Sequence, residues 1–326
     1  MSASARGSSE DRISLAVTSI ILTVLALSLG DALVKMTSGS FVIWQIFVVR
    51  SLILLPILMG VALSLGCLRV PQAGRSLILL PILMGVALSL GCLRVPQAGI
   101  WIAVRSLMLI AMWICYYLAL PNLSLSAAAA AYYTLPIFIT LFSAVFVGDS
   151  ITVKGWAAVV LGFVGVLFIL RPSAGDFNLY ALLPLLAAML YAGAMILTRT
   201  RCQSEHPIIL SLALNLGFIV AGSIAACLIW LLPSDMREGF LLSEWTAMGW
   251  SEWISMGLLA ASILIGSIGA AIAYQNGPPA MIGAFDFAYV GFAVLWGIVF
   301  FNETPDLIAS IGMIMIVGGG ILSLRQ

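Results

Sequence analysis

The fold is decided by residues Pro279 to Arg325, PAMIGAFDFAYVGFAVLWGIVFFNETPDLIASIGMIMIVGGGILSLR. Two apolar runs of helical length are joined there by the short polar turn NETPD. Shifted back by 154 positions, the stretch aligns with Leu125 to Arg171, which has the same order of apolar run, acidic turn and glycine-rich apolar run, with the same Leu-Arg end. Asp149 then falls on Glu303. The alignment indicates two related halves, each closed by such a hairpin.

The composition is that of a membrane protein. Hydrophobic residues make up 63% of the 326 residues and charged residues 8%, whereas a soluble domain carries about a quarter charged residues. Uncharged apolar runs recur that are long enough to cross a hydrocarbon core of about 30 Å as helices. They do not alternate as the strands of a membrane β-barrel do. The sequence therefore predicts an all-α, polytopic membrane protein.

Outside one duplicated segment, the apolar runs predict ten membrane-spanning helices in two five-helix repeats, residues 13–171 and 179–326. An odd number of crossings per repeat places the two repeats in inverted orientation. Lys and Arg at the helix ends favour a cytoplasmic location for both termini, and no A-x-A cleavage site indicates a signal peptide. The predicted helices are 13–35, 41–67, 99–120, 124–147, 151–170, 179–197, 207–232, 253–274, 280–301 and 305–324.

An exact tandem repeat interrupts this pattern. Residues Arg50–Gly74 recur without one change as Arg75–Gly99, which indicates a recent duplication, an engineered insertion or an assembly error. The extra apolar segment, residues 76–93, has three alternative arrangements. It spans the membrane and inverts the orientation of every later helix, or it packs beside the bundle without spanning the membrane. In the third, it takes the membrane position of the first copy and displaces that copy. We expect the ten-helix bundle to persist with this segment packed beside it.

No enzyme, metal or cofactor site is predicted. The single histidine, His206, lies in a polar loop, and the cysteines lack metal-ligand or redox spacing. No phosphate-binding loop or nucleophile motif is present. The candidate chemistry therefore lies with ionisable groups inside apolar helices, which cost about 2.5–3.5 kcal/mol to insert and usually face the bundle interior.

Five residues form the expected substrate pathway. Arg50 is roughly 13 Å into its helix, near the midplane. Arg105 and Tyr116 share a face of the third helix, although Arg105 is close enough to the cytoplasmic edge to reach it. Tyr132 lies in the fourth helix. Asp286, in the ninth, would either carry a coupling proton or pair with an arginine.

Other polar groups are expected near helix ends. Asp31 and Lys35, four residues apart, can form an ion pair near the outer end of the first helix or a gate. Asp149 and Glu303 are expected to cap the helices that follow them, because a helix N-terminus favours an anion. Pro136 predicts a kink in the fourth helix.

The sequence resembles the EamA-domain transporters of the drug/metabolite transporter superfamily. The family implies ten helices in two repeats, a bacterial inner membrane and a central cavity. The Asp-x-x-x-Lys pair and the carboxylate before an aromatic residue are similar to the branch that contains riboflavin and S-adenosylmethionine transporters. Asp149 stands where the family more often has Glu, and the duplication is a second departure. The resemblance rests on GDALVK (30–35), QIFVVR (45–50), RSLMLIAMWICYYLAL (105–120), LPIFITLFSAVFVGD (135–149), GFVGVLFILRP (162–172), PPAMIGAFDFAY (278–289) and FNETPD (301–306).

The leading hypothesis is a gradient-driven transporter of a small organic metabolite, riboflavin-like or S-adenosylmethionine-like. Arginines would attract its anionic groups, tyrosines would stack on a ring, and Asp286 would carry a proton. The alternatives are a membrane-embedded enzyme acting on lipid-linked substrates and a non-transporting product of the duplication. Expected partners are the substrate, the lipid bilayer, a coupling proton and, as an open alternative, a second copy in a homodimer; no nucleic acid is expected.

Overall fold

The computed structural model describes residues 3–37, 42–64, 98–119, 122, 125–172, 179–233, 237–302 and 305–324. These residues contain helices and connecting segments but no β-strand. The helices are α1 (Ala3–Thr37), α2 (Ile43–Ser64), α3 (Gly99–Ala119), α4 (Leu125–Tyr132), α5 (Leu135–Phe142), α6 (Val153–Leu170), α7 (Leu182–Thr200), α8 (Pro207–Trp230), α9 (Gly239–Leu242), α10 (Trp250–Asn276), α11 (Pro279–Asp286), α12 (Ala288–Phe301) and α13 (Leu307–Ser323).

The all-α, polytopic prediction is confirmed. Within the described ranges, eight helical segments are long and apolar enough to cross a membrane. Two shorter apolar segments, Leu135–Val147 and Leu307–Ser323, occupy the places of the predicted fourth and tenth helices. The first of these consists of α5 and the π-helical turn Ser143–Val147 that continues it.

The predicted fourth and ninth helices are each broken rather than continuous. In the fourth, a turn at Tyr133 and Thr134 separates α4 from α5, and Pro136 lies in the first turn of α5. Proline lacks an amide N–H, so it suits a helix start and interrupts a helix interior, as its position predicted. In the ninth, the break is at Phe287, between α11 and α12. No proline signals that second break.

The first copy of the duplicated segment supplies α2, which runs from Ile43 through Arg50 to Ser64. Residues 65–97 lie outside the described residues, and they include the extra apolar segment 76–93. Its position beside the bundle therefore stays a prediction.

The two hairpins identified from the sequence share one local design. Gly148 and Asn302 both have left-handed backbone conformations, with φ of 81° and 53°. Four residues further on, Thr152 accepts a hydrogen bond from the Gly155 amide at 3.2 Å. Asp306 accepts the equivalent bond at 3.0 Å from Ala309. Each hairpin thus ends one helix and caps the next in the same way.

These caps correct one sequence prediction. Asp149 was expected to cap the helix after its turn, but Thr152 caps it instead. Asp149 accepts a hydrogen bond from the Ser143 hydroxyl, at the end of the preceding helical segment. The cap needs a side chain directly before the helix, and Asp149 is too early in the turn. Glu303 lies outside the described residues.

The helices pack in pairs around a common core. The closest pairs are α1 with α10, α3 with α7, α2 with α8, and α6 with α13. In the α6–α13 pair the two backbones approach closely at glycines, because a Cβ on Gly312 would lie 2.6 Å from the carbonyl oxygen of Gly165. Only glycine allows this approach, as is common between membrane helices.

Candidate functional site

A pocket opens between α1, α2, α3 and α10. Asp31 and Arg50 are the only charged side chains among the described residues that line it, and we call it the Asp31 pocket. The pocket is narrow, and part of its space is open to solvent. Asp31 is exposed, and its carboxylate accepts a hydrogen bond from the Tyr289 hydroxyl on α12. One carboxylate oxygen is therefore anchored while the group still faces the pocket.

Arg50 is held in this pocket by aromatic rings. Its side chain is 5% exposed. The guanidinium carbon lies 5.0 Å from the centroid of Phe47 and 4.7 Å from that of Phe218. Its Nε and Nη2 atoms are buried and have no hydrogen-bond partner within the described part of the chain. Cation–π contact fixes the guanidinium in place, and its N–H groups remain available to a ligand.

A second group of polar side chains lies deeper in the bundle, and we call it the Asp286 cluster (Asp286, Tyr274, Tyr191 and Arg105). Asp286 is 5% exposed, and the Tyr274 hydroxyl donates a 2.5 Å hydrogen bond to its Oδ2. Tyr274 also interacts with Tyr191 on α7. No cationic side chain of the described residues hydrogen-bonds to Asp286, so the predicted alternative of an Asp286–arginine pair is wrong for this structure.

Arg105 completes the cluster from α3. It is 1% exposed, and its Nε donates a 2.6 Å hydrogen bond to the Thr198 hydroxyl. That hydroxyl donates in turn to the Ala194 carbonyl at 2.8 Å. Tyr191 interacts electrostatically with both Arg105 and Asp286. The alternative in which Arg105 reaches out to the membrane edge is wrong, because its side chain is enclosed between α3 and α7.

A row of tyrosines connects the two regions. Ring centroids are 5.9 Å apart between Tyr117 and Tyr116, and 5.2 Å between Tyr116 and Tyr132. The row continues from Tyr132 to Tyr133 at 5.7 Å and from Tyr133 to Tyr289 at 5.5 Å. Tyr117 lines the Asp31 pocket, while Tyr132 interacts electrostatically with Asp286. We call this row the tyrosine bridge.

The predicted pathway residues thus fall into two places joined by aromatic side chains. Arg50 lies in the Asp31 pocket, and Arg105 and Asp286 lie in the Asp286 cluster. Tyr116 and Tyr132 belong to the tyrosine bridge. The Lys35 side chain lies outside the described residues, so its pairing with Asp31 stays a prediction. Sequence reasoning missed Trp113, Tyr117, Thr198 and Phe218.

A basic opening, which we call the basic mouth, lies at the far end of α1 and α10 from the Asp31 pocket. Arg12, Arg199 and Arg201 line it, and no acidic side chain of the described residues does. Arg199 donates a 2.7 Å hydrogen bond to the Gln275 carbonyl. Arg199 directly follows Thr198, the partner of Arg105, so the mouth lies next to the Asp286 cluster.

The long loop between α8 and α10 folds over the start of α2. The indole Nε1 of Trp44 donates to the Leu241 carbonyl at 2.7 Å. The Gln45 amide donates to the Thr246 carbonyl at 2.7 Å and accepts from the Thr246 amide at 3.1 Å. Ile43 and Ile46, on the same turn of α2, line the Asp31 pocket. The loop therefore closes the bundle at the pocket end.

Comparisons with known proteins show relatives that are named as transporters. The pseudopaline exporter CntI of Pseudomonas aeruginosa strain UCBPP-PA14 is 26% identical over 66% of this chain and 71% of its own length. A riboflavin transporter of Brucella anthropi is 26% identical over 64% and 70%. An S-adenosylmethionine uptake transporter of Rickettsia conorii is 23% identical over 59% and 60%. No protein-family model matches the chain.

A crystal structure shares the whole architecture. It superimposes with a TM-score of 0.71 over 97% of this chain and 98% of its own, at 18% sequence identity. The likeness shows the fold alone. The relatives, which are named as transporters and not as enzymes, support a non-enzymatic membrane protein.

Proposed function

We propose that this chain is a gradient-driven transporter that moves a small organic metabolite across the bacterial inner membrane. The observation that carries the proposal is the pair of carboxylates inside an apolar bundle, Asp31 and Asp286, linked by the tyrosine bridge. Ionisable side chains within membrane helices are expensive and typically mark substrate or proton pathways. The relatives named as transporters point the same way.

We place the chain with the EamA-domain transporters, as two inverted repeats, residues 13–171 and 179–326, with both termini in the cytoplasm. The shared hairpin design and the matching breaks at Tyr133 and Phe287 support this division.

Two further contacts between the halves are reciprocal. Gly165 packs on Gly312, and Gly319 packs on Ala158, which is the same contact with the two halves exchanged. Such symmetry is typical of transporters built from inverted repeats.

Each part of the site has a proposed role. The basic mouth and Arg105 attract anionic groups from the cytoplasmic side, and Arg50 does so at the other end. The tyrosine bridge offers stacking surfaces to a ring, which suits a riboflavin-like or S-adenosylmethionine-like substrate, the compounds named for two of the relatives. Asp286 carries the coupling proton, because it is enclosed by hydroxyl groups and has no hydrogen-bonded cation within the described part of the chain.

The exact repeat favours a second candidate, a non-transporting product of the duplication. Uptake and efflux of a metabolite panel, riboflavin and S-adenosylmethionine included, separates the two. The assay compares cells that express the full chain with cells that express a version lacking Arg75–Gly99. We expect both to transport. Transport by the shorter chain alone favours the second candidate, and no transport by either, despite membrane insertion, contradicts the proposal.

The role of Asp286 is tested by Asp286→Asn, which keeps the shape and removes the titratable group. Uptake should fall to background although the variant reaches the membrane. Asp149→Asn is a matched control, because Asp149 lies in a hairpin turn away from both regions, and it should transport normally. Normal uptake by Asp286→Asn would remove Asp286 from the coupling role.

A further inference from the structure

The Asp31 pocket contains two opposite charges that are not paired with each other. Asp31 and Arg50 interact electrostatically across it, but they form no ion pair in the structure. Asp31 is hydrogen-bonded to Tyr289, and Arg50 lies against the Phe47 and Phe218 rings. Among the described residues, the rest of the lining is apolar or aromatic apart from one serine hydroxyl, Ser262. These described residues thus present one carboxylate and one guanidinium to a ligand that enters the pocket.

Such a pocket discriminates by charge. An anion would gain from Arg50 but would face the Asp31 carboxylate, and a cation would gain from Asp31 but would face the guanidinium. A charge taken into a protein interior without a partner is costly. A zwitterion offers a partner to both groups at once.

The surroundings of Arg50 point to a ligand as well. Its Nε and Nη2 atoms are buried, and nothing in the described part of the chain accepts their hydrogen bonds. Buried donors are nearly always satisfied in native proteins. A carboxylate is the group best matched to two neighbouring guanidinium N–H donors, because it accepts both in one plane.

The pocket also has an aromatic wall on α3. The rings of Trp113 and Tyr117 are stacked with centroids 5.4 Å apart, and both line the pocket. Ring faces attract a nearby ammonium group and planar or apolar side chains. They therefore suit the part of a ligand that lies next to its charged end.

We propose that the Asp31 pocket binds the amino-acid end of the transported molecule, with an α-ammonium group at Asp31, an α-carboxylate at Arg50, and the adjoining side chain against Trp113 and Tyr117. The inference rests on the proposed function only in calling the ligand the transported molecule. Binding itself is measured on the purified protein, without any transport.

The test is equilibrium binding to the purified full chain in detergent. The probes are tryptophan and S-adenosylmethionine, which carry both charges, with tryptamine and 3-indolepropionate, which each keep one charge of tryptophan. Tryptophan should bind at least about tenfold more tightly than either single-charge analogue, as expected for one charged hydrogen-bonding contact. No binding of either zwitterion, or equal binding of tryptophan and its analogues, overturns the proposal.

Two variants assign the charges. Arg50→Gln should remove the preference for tryptophan over tryptamine and keep the preference over 3-indolepropionate. Asp31→Asn should do the reverse. Arg50→Lys and Asp31→Glu, which keep the charges, should largely retain both preferences. Arg171→Gln, at an exposed arginine, should change neither preference. A parallel weakening of all ligands in both neutral variants would mean that Asp31 and Arg50 support the structure or a gate only.

The outcome is separable from that of the proposed function. If the charge preferences hold but no compound is transported, the site stands and the transport proposal falls. If transport occurs but the purified protein shows no charge preference, only the site falls.

Discussion

Asp31 and Asp286 are both carboxylates in apolar helices, and each accepts a hydrogen bond from a tyrosine hydroxyl. Their surroundings differ. Asp31 is exposed in a pocket that also contains a guanidinium, whereas Asp286 is 5% exposed and its partner Tyr274 is completely buried. An open carboxylate beside a fixed cation is suited to holding a ligand. An enclosed carboxylate among hydroxyl groups is suited to gaining and losing a proton without a ligand.

The largest predicted effect is on transport, and it should separate the two roles of Asp31 and Asp286. Asp286→Asn should abolish gradient-driven accumulation in proteoliposomes but allow counterflow exchange of substrate, since exchange needs no net proton movement. Asp31→Asn should impair both, because it weakens binding. Measured side by side, the two assays should separate the variants, because counterflow persists in Asp286→Asn and falls in Asp31→Asn. Equal loss of both activities in both variants would erase the distinction between the regions.

The glycine contact between α6 and α13 lies outside both sites, and a substitution there should change only the stability of the fold. A methyl group on Gly312 would press on the Gly165 carbonyl oxygen, so Gly312→Ala should lower the free energy of unfolding by up to about 3 kcal/mol. Gly318, on the same helix, has only a Leu161 methyl at 3.6 Å from such a group. Gly318→Ala should be nearly neutral. Denaturant titration in mixed micelles measures both, and equal effects would contradict the close α6–α13 contact.

The tyrosine partners test the difference in burial. Tyr274→Phe removes the hydroxyl that satisfies the buried Asp286, which should cost about 1–3 kcal/mol of unfolding free energy. Tyr289→Phe removes the partner of Asp31, but water in the pocket can replace it, so the cost should be below about 1 kcal/mol. The same micelle titration compares them. A larger loss in Tyr289→Phe would mean that the Asp31 pocket is closed to water.

Much of this fold could be predicted because membrane helices are recognisable in a sequence by their apolar composition and their length. The break before Pro136 was also predictable, because proline lacks an amide N–H and interrupts a helix interior. The break at Phe287 has no such signal. Phe287 is 1% exposed, and its ring lies where a side chain on Gly162 would be. That contact joins α6 to residues more than a hundred positions later, which no local pattern specifies.

The candidate site, like the fold, could be predicted from the sequence only in part. The cost of placing charges in a membrane was enough to select Asp31, Arg50, Arg105 and Asp286 as candidate site residues from the sequence. Their partners could not be identified, because pairing depends on which helices are neighbours. Asp31 accepts a hydrogen bond from Tyr289, 258 positions later in the chain, which no local pattern indicates, while its pairing with Lys35 stays a prediction. The 154-residue offset could have helped, since it aligns Phe287 with Tyr133 beside the proline-linked break.

A third carboxylate, outside the membrane, provides the baseline for the other two. Asp306 caps α13 and pairs directly with Arg171, and both side chains are about half exposed, 53% and 45%. The hydrogen bond from Arg171, and after it the Ala309 amide, lowers the pKa of Asp306 below its ordinary value of 3.8. A carboxylate with a lowered folded-state pKa stabilises the fold above its ordinary pKa, and this contribution is lost as the pH falls through the lowered value.

Arg171→Gln should therefore lower the thermal midpoint only slightly at pH 7, because water screens an exposed pair. The difference from wild type should shrink as the pH falls below about 4 and should vanish once the pH is below the lowered pKa of Asp306 in the folded protein. Asp306→Asn removes the charge but keeps a good cap, so it should match Arg171→Gln, whereas Asp306→Ala should cost more. Thermal unfolding between pH 3 and pH 7 measures all three. An effect of Arg171→Gln as large as that of Tyr274→Phe would show that exposure does not determine what these carboxylates contribute.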